Sequence, residues 1–437
     1  MKKNISLLLC LFILGQCYSQ TNPEQLVVYD DVHRFWHAYD LIHATKDTTF
    51  HKEILEREFL HPGTDGLKAI MEKKGYSIQE YLGAIRRYPS FWESIRANTF
   101  RAQEFAIAIN QEIDNLKTWY PELKTAHVYF TIGVLRSGGT AHDGNVLIGS
   151  ELALADSNAV TSDIQPDWLR ENHEIYFKSN PIGDIVLLSA HEYVHTQQNN
   201  YGYNLFSQCI YEGVAEFVSV LSHGGKSASP AIVFGERNMK LIQNRFEKEI
   251  FSPNWNDWLY NNDQNEFGIR DLGYYVGYAI CQSYFNQAMD KLKAIRTMIE
   301  LDYKNQSEME SFLMASGYLS KSIKDIRTDY LKNKPTVLGI VEFENGSQSV
   351  DPSIKTITIK FSAKMSDRFR NQRFGPLGQE NVVPYTSLQW GKDLKSITFE
   401  VELESNKRYQ IEISNEYRTE DGIPIDSYLI DFNTKNM

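Results

Sequence analysis

Residues 189–198 read SAHEYVHTQQ, two histidines four positions apart with a glutamate directly after the first. On a helix, residues four apart lie one above the other, so His191 and His195 can turn both imidazoles toward one ion. Glu192 lies about 100° further round the helix. From there it reaches a water on the ion without becoming a ligand. Zinc with three protein ligands keeps a fourth position open, where water is acidified toward neutrality. A carboxylate beside that water can take its proton as a carbonyl is attacked, then pass the proton to the leaving amine. The same five letters could instead be polar residues on a solvated helix. The apolar lead-in DIVLLSA argues against that, because it half-buries the helix. The next helical stretch supplies YEGVAEF, and a third ligand from a following antiparallel helix is what a His–His–Glu site requires. Glu212 is the candidate. Glu216, one turn on, is an alternative ligand, a carboxylate that orients a histidine through its second nitrogen, or an exposed helix glutamate.

These residues need elements to hold them. From residue 28 to 122 apolar residues recur at three and four spacing, interrupted by HPGTDG and YPS, which predicts helices. HVYFTIGVL (127–135) is β-branched and aromatic and reads as a strand. RSGGTAHDG follows as a glycine-rich turn, and NVLIGSELAL (145–154) reads as a second strand. Pro181 and Gly183 open a helix that runs through His195. FSQCIYEGVAEFVSVLSHGG is the next helix, closed by Gly224 and Gly225. Further helices are expected near 235–250, 271–300 and 307–332. Pro335 marks a change of texture. Ile357, Ile359 and Phe361 alternate strictly with polar residues, as do Ile397, Phe399, Val401 and Leu403, and then Tyr409, Ile411 and Ile413. Period two over several short segments predicts an all-β sandwich of about 100 residues. The expected fold is therefore multidomain: a mainly helical α+β unit over 20–334 and an all-β unit over 335–437. Few contacts need cross such a boundary.

The length of 437 residues fits two or three domains. Lys2 and Lys3 precede an apolar run from Ile5 to Leu14, which reads as a signal peptide over residues 1–19 with cleavage after Ser19. The expected location is secreted: periplasmic, at the cell surface or extracellular. Cys17 offers a lipoprotein reading, disfavoured by the bulky Gln16 before it. No later segment is apolar enough to span a membrane. Beyond the signal, 45 basic residues fall to 43 against 56 acidic ones, a net charge of −13. That disfavours nucleic acid and anionic membranes as partners. Only Cys209 and Cys281 remain after processing, so a cysteine-based zinc site is excluded by count, and buried free thiols are expected. His142 in the glycine-rich turn could approach a substrate or simply be solvated. Gln197 and Gln198 could line a cleft, though glutamines at a helix end usually face water.

HEYVH and EGVAEF together resemble the gluzincin zinc metallopeptidases, in which a glutamate ligand follows on the helix after HExxH. The resemblance implies that His191, His195 and Glu212 hold one catalytic zinc, with Glu192 as general base. GYYVGYAI (273–280) resembles the Tyr-x-x-Gly segment whose tyrosine faces the zinc, which matches Tyr274 with Gly277. A phenol there stabilises the oxyanion of the tetrahedral intermediate. Tyr275 and Tyr278 compete for that place, and at helical spacing at least one is core. NVLIGSELAL sits where gluzincins place the edge strand that pairs with an extended peptide. Aminopeptidases carry a Gly-x-Met-Glu-Asn stretch that holds the substrate amine. SGGTAHDGNVLIG stands in its place, so typical aminopeptidase activity is not expected. Residues 28–330 are most similar to a family of predicted secreted bacterial zinc proteases of uncharacterised substrate. VDPSIKTITIKFSAKMS and YQIEISNEYRTEDGIPIDSYLIDFNT resemble the opening and closing strands of bacterial Ig-like domains. The implied protein is a secreted metallopeptidase with a zincin-like domain, a peptide or protein substrate and an Ig-like domain that binds a protein or glycan surface. Two other functions share these features. One is a surface binding protein that keeps a zincin scaffold, against which the intact Glu192 argues. The other is a zinc hydrolase acting on a non-peptide substrate.

Overall fold

The computed structural model describes residues 26–199, 201–225, 227, 229–261 and 265–436. The expected signal segment, residues 1–19 with Cys17, lies outside them. The chain is multidomain α+β: a helical region with a small sheet, then two antiparallel sheets. One apolar core runs from Val27 to Ile326 and a second from Val350 to Phe432.

The N-terminal helices follow their apolar spacing. In Asp30–Ala44 the residues Val32, Phe35, Trp36, Tyr39 and Ile42 are buried, one stripe of a 3.6-residue period. Ile78–Arg87 starts at a capping box, in which Ser77 and Glu80 each satisfy the other's backbone N–H. These helices close over a sheet of order β1 (Val27–Val28), β2 (Val128–Thr131), β4 (Asn145–Gly149) and β3 (Gly139–His142). The first three are parallel, and β3 is antiparallel to β4 at the edge.

Two expectations change here. NVLIGSELAL is a strand only as far as Gly149, and Ser150–Ala153 is a helical turn. An apolar run cannot by itself distinguish strand from buried helix. Tertiary contact decides it: the buried Glu151 carboxylate accepts the backbone N–H groups of Gly133 (2.9 Å) and Leu135 (3.2 Å), which pins the chain as it leaves the sheet. Moreover β4 is an interior strand. The edge strand beside it is β3, inside the segment expected to be a turn. Its hairpin loop is Asp143-Gly144, with φ of 47° and 71°, the conformation of a two-residue type I′ turn.

Helix α1 (Ile185–His195) follows a 3₁₀ turn at Pro181–Asp184 and packs beside α2 (Leu205–Ser222), whose N-cap Asn204 accepts from the N–H of Ser207 at 2.8 Å. Helix α3 (Met239–Glu249) lies further out, and α4 (Leu272–Gln287) packs tightly on α2. The α2–α4 contact needs Gly213 and Gly277, because a Cβ on either would overlap the backbone of the other helix. Cys209 and Cys281 are buried beside this crossing as free thiols. Among the described residues no helix is long and apolar enough to cross a membrane.

The C-terminal unit faces a four-stranded sheet, β5 (Val337–Ile340), β6 (Thr356–Phe361), β9 (Ser396–Val401) and β8 (Tyr385–Trp390), against a three-stranded one, β11 (Tyr428–Asn433), β10 (Arg408–Ile413) and β7 (Gln372–Arg373). The alternating residues 357, 359, 361, 397, 399, 401, 409, 411 and 413 all enter the shared core, as period two requires. The seam with the helical unit is more specific than a linker would need. Arg418 is 2% exposed and pairs with Asp257, while Asp421 meets Arg245 and Lys248.

Candidate metal centre

Residues 185–195 are apolar enough to bury α1 on most of its surface, and the second half of the helix carries its polar residues into the interior. His191 Nε2 and His195 Nε2 lie 3.1 Å apart. Glu212 Oε2, on α2, is 3.3 Å from the first and 3.2 Å from the second. The three side chains are 10%, 7% and 6% exposed, so these groups converge in a nearly dry place. Together they offer two imidazole nitrogens and one carboxylate oxygen, all within 4.8 Å of one another. Two nitrogens and one oxygen form a donor set that fits zinc with a position left open.

The outer nitrogens are also held. His191 Nδ1 is 3.4 Å from Glu216 Oε2, and Ser227 donates to the other oxygen of Glu216 at 2.7 Å. Glu216, which as a helix glutamate could have faced solvent, is therefore half-buried against a histidine. His195 Nδ1 is 2.6 Å from Gln198 Oε1. The Gln198 amide donates to the Tyr211 carbonyl (3.0 Å) and the Tyr303 hydroxyl (2.7 Å), so its oxygen is left to accept and His195 carries its proton on Nδ1. With Nδ1 turned to Gln198, Nε2 is the nitrogen left to face an ion. Tyr211 stacks on His195 at 4.4 Å and 12°. Neither glutamine simply faces water: Gln197 is buried and bonds to both backbone groups of Lys124.

Burial and charge act on these groups in opposite directions. Burial alone would raise the Glu212 carboxyl, but the charge of His195 and hydrogen bonds with both histidines hold it well below the usual carboxylate range. Burial disfavours charge on His191, yet its hydrogen bonds to Glu212 and Glu216 raise its pKa to about 10. A divalent cation between the same groups would take the place of that proton. Glu192 does not join the cluster. Burial raises its carboxyl, against the lowering influence of His195 and His191. It lies against β3: a Cβ on Gly139 would sit 3.2 Å from Glu192 Cγ and Oε1. A raised carboxyl beside, but not among, the converging atoms has the acidity of a group that can take and return a proton.

Tyr274 is half-buried, with its ring 5.9 Å from that of His191, and burial together with Glu212 keeps its phenol protonated. Its competitors are core residues: Tyr275 is 2% exposed, and Tyr278 packs on Phe217. His142 lies on the edge strand, 3.7 Å from Asp143. One residue escaped the sequence reading. Tyr260 donates its hydroxyl to Glu212 Oε1 at 2.5 Å. It sits in an irregular stretch between α3 and α4, where no periodicity or motif singles it out.

Residues 175–305 match the model of a family described as "Predicted Zn-dependent protease (DUF2268)", a span that contains His191, Glu192, His195, Glu212 and Tyr274. No curated protein matches the chain. Among solved structures the chain is similar to "surface layer protein SbsC, domains 1-6" at 10% identity, with a TM-score of 0.19 over 93% of this chain and 45% of that one. It is also similar to "the N-terminal part of the bacterial S-layer protein SbsC" at 10% identity, with a TM-score of 0.18 over 93% and 77% of the two chains. At such scores the likeness carries no structural argument, and the chain spans 45% of the first of these structures. The family match rests on the segment that holds the metal cluster and names a zinc-dependent protease.

Proposed function

We propose that this protein is a secreted zinc metallopeptidase of the gluzincin type, with a zincin-like domain over residues 20–334 and an Ig-like sandwich over 335–437. The observation that carries the reading is the convergence of His191 Nε2, His195 Nε2 and Glu212 Oε2 within 3.3 Å of one another, with Glu192 beside them and outside the set. Bound zinc would act as a Lewis acid that acidifies water and polarises a carbonyl. The chain's residues supply the rest. Glu192 takes the proton of the attacking water and returns it to the leaving nitrogen, a transfer that its raised pKa suits. The Tyr274 phenol, kept protonated, donates to the developing oxyanion. Among the described residues β3 has β4 on one side only, so its outer edge can align an extended peptide by strand addition, with Glu192 beside it. The substrate is a peptide or protein, and the missing amine-binding stretch disfavours a typical aminopeptidase.

The test separates ligands from base. Purified protein should hold about one zinc per chain. Glu192→Gln should keep that zinc and lower hydrolysis of a mixed fluorogenic peptide library by about 10²–10⁴-fold. Glu212→Ala should release the zinc. If Glu216→Ala releases it instead, the third ligand is one helical turn away. Unchanged hydrolysis in Glu192→Gln would remove Glu192 from the mechanism.

A further inference from the structure

Glu212 uses its two oxygens differently. Oε2 faces both imidazoles, and Oε1 accepts the hydroxyl of Tyr260 at 2.5 Å. A carboxylate held this way presents one oxygen to an ion and is prevented from rotating. Tyr260 is therefore bonded directly to a member of the cluster. Yet the residue is 61% exposed, so packing of its ring does not aim the hydroxyl. Its backbone has a φ of 57°, a left-handed conformation uncommon outside glycine that persists only where the surroundings impose it.

Those surroundings lead across the seam. Trp258 and Leu259, just before Tyr260, are buried. The Asp257 carbonyl accepts from the Asn261 side chain at 2.7 Å, and Asn261 in turn accepts from the N–H of Asp271 at 2.7 Å. The Asp257 carboxylate is gripped by Arg418 of the C-terminal sandwich, with Nη1 and Nη2 each 3.1 Å from a different oxygen. Arg418 is itself fixed: it is 2% exposed, its guanidinium lies 3.5 Å above the centre of the Phe369 ring, and its carbonyl accepts from the N–H of Ser366 at 2.8 Å. A forked arginine–carboxylate pair specifies position as well as energy. A buried pair of this kind adds little net stability over well-packed apolar side chains, so position is what it contributes. Only Trp258 and Leu259 separate Asp257 from Tyr260, a backbone reach of at most about 11 Å.

We propose that the C-terminal sandwich is part of the metal centre, with Arg418 a positioning residue that acts through Asp257 and Tyr260 on Glu212. The inference rests on the reading of Glu212 as a zinc ligand. It follows that the second unit does more than hold a partner, and that removing it would loosen zinc in the first.

The experiment is a double-mutant cycle on the full chain, read as zinc affinity in competition with a chromophoric chelator. Tyr260→Phe should weaken zinc by about 10–100-fold, the usual cost of losing a group that orients a ligand. Arg418→Met should weaken it by about tenfold. The double variant should be no weaker than Tyr260→Phe alone, because both act through one contact. A merely structural arginine would give additive losses, and additivity overturns the proposal, as does unchanged affinity in Arg418→Met. Asp257→Asn, which keeps the shape and one hydrogen bond, takes the place of Arg418→Met in the cycle if that variant does not fold. A parent protein that binds no zinc would instead defeat the metallopeptidase reading itself, an outcome visible before any variant is made.

Discussion

Glu212 and Glu249 are both buried carboxylates of the helical unit, and their surroundings move them in opposite directions. Glu212 is held ionised by two imidazoles despite its burial. Burial pushes Glu249 up to about 7, although the Arg245 guanidinium lies 2.6 Å away, and the negative charge of Asp257 adds to the rise. The difference is in the number and sign of the neighbours. Around Glu212 two histidines and Tyr260 serve both oxygens, while Glu249 shares Arg245 with Glu266 and Asp421. The candidate metal centre is organised to keep a charge in place, and the seam to bring two units close with charge partly neutralised. A site that must offer an anion to a cation needs the first arrangement. An interface between units tolerates the second.

The largest effect should come from the metal centre itself. His195→Ala removes one of the three proposed ligands, and metal content should fall with a loss of about 3 kcal/mol or more in zinc binding, roughly a third of what a protein zinc site contributes. Full occupancy in the variant would end the distinction between the two regions. The seam should show itself in pH. The folded pKa of Glu249 lies above its ordinary value of 4.5, so between pH 4.5 and about 7 the folded state holds a proton that the unfolded chain has released. Stability should then fall as pH rises through that window and level off above it, by about 3 kcal/mol in all. Glu249→Gln should remove this dependence, and denaturant midpoints for both proteins at several pH values decide it. A parallel pH profile in the variant would show that Glu249 stays ionised when folded.

Smaller effects sharpen the comparison. Gly422 has a φ of 80°, and a Cβ there would collide with the Glu249 carboxylate. Gly422→Ala should cost about 2 kcal/mol of stability, seen as a lowered thermal midpoint. No change would mean that the seam opens without strain. Ser227→Ala takes one hydrogen bond from Glu216, which meets the outer nitrogen of His191. Zinc affinity should weaken by about 1 kcal/mol or less, measurable by the same chelator competition. A loss as large as that of His195→Ala would place Glu216 among the ligands.

The amphipathic helices and the period-two strands were legible because burial follows a local repeat, as in Phe35, Trp36 and Tyr39 or in Ile357, Ile359 and Phe361. The pair of helices that carries His191, His195 and Glu212 was legible for the same reason, joined to a motif whose spacing is set by one turn of helix. The edge strand was harder. Asp143-Gly144 marks its hairpin, but the glycines at 138 and 139 dilute the strand pattern, and the apolar run after Gly149 continues without a visible break.

The sequence by itself determined that two imidazoles share a helix face, that Glu192 stands beside them rather than among them, and that a separate β core follows Pro335. Each depends on neighbours within one helix or strand, where geometry is fixed by the backbone repeat. Only the tertiary structure decided that β3 forms the edge, that Gln198 and Glu216 hold the outer nitrogens, and that Tyr260 occupies the second oxygen of Glu212. It alone brought Arg418 to Asp257, 161 positions apart in the chain. Such pairs leave no periodic trace, because their contact is made by the packing of one unit on another and not by the repeat of either.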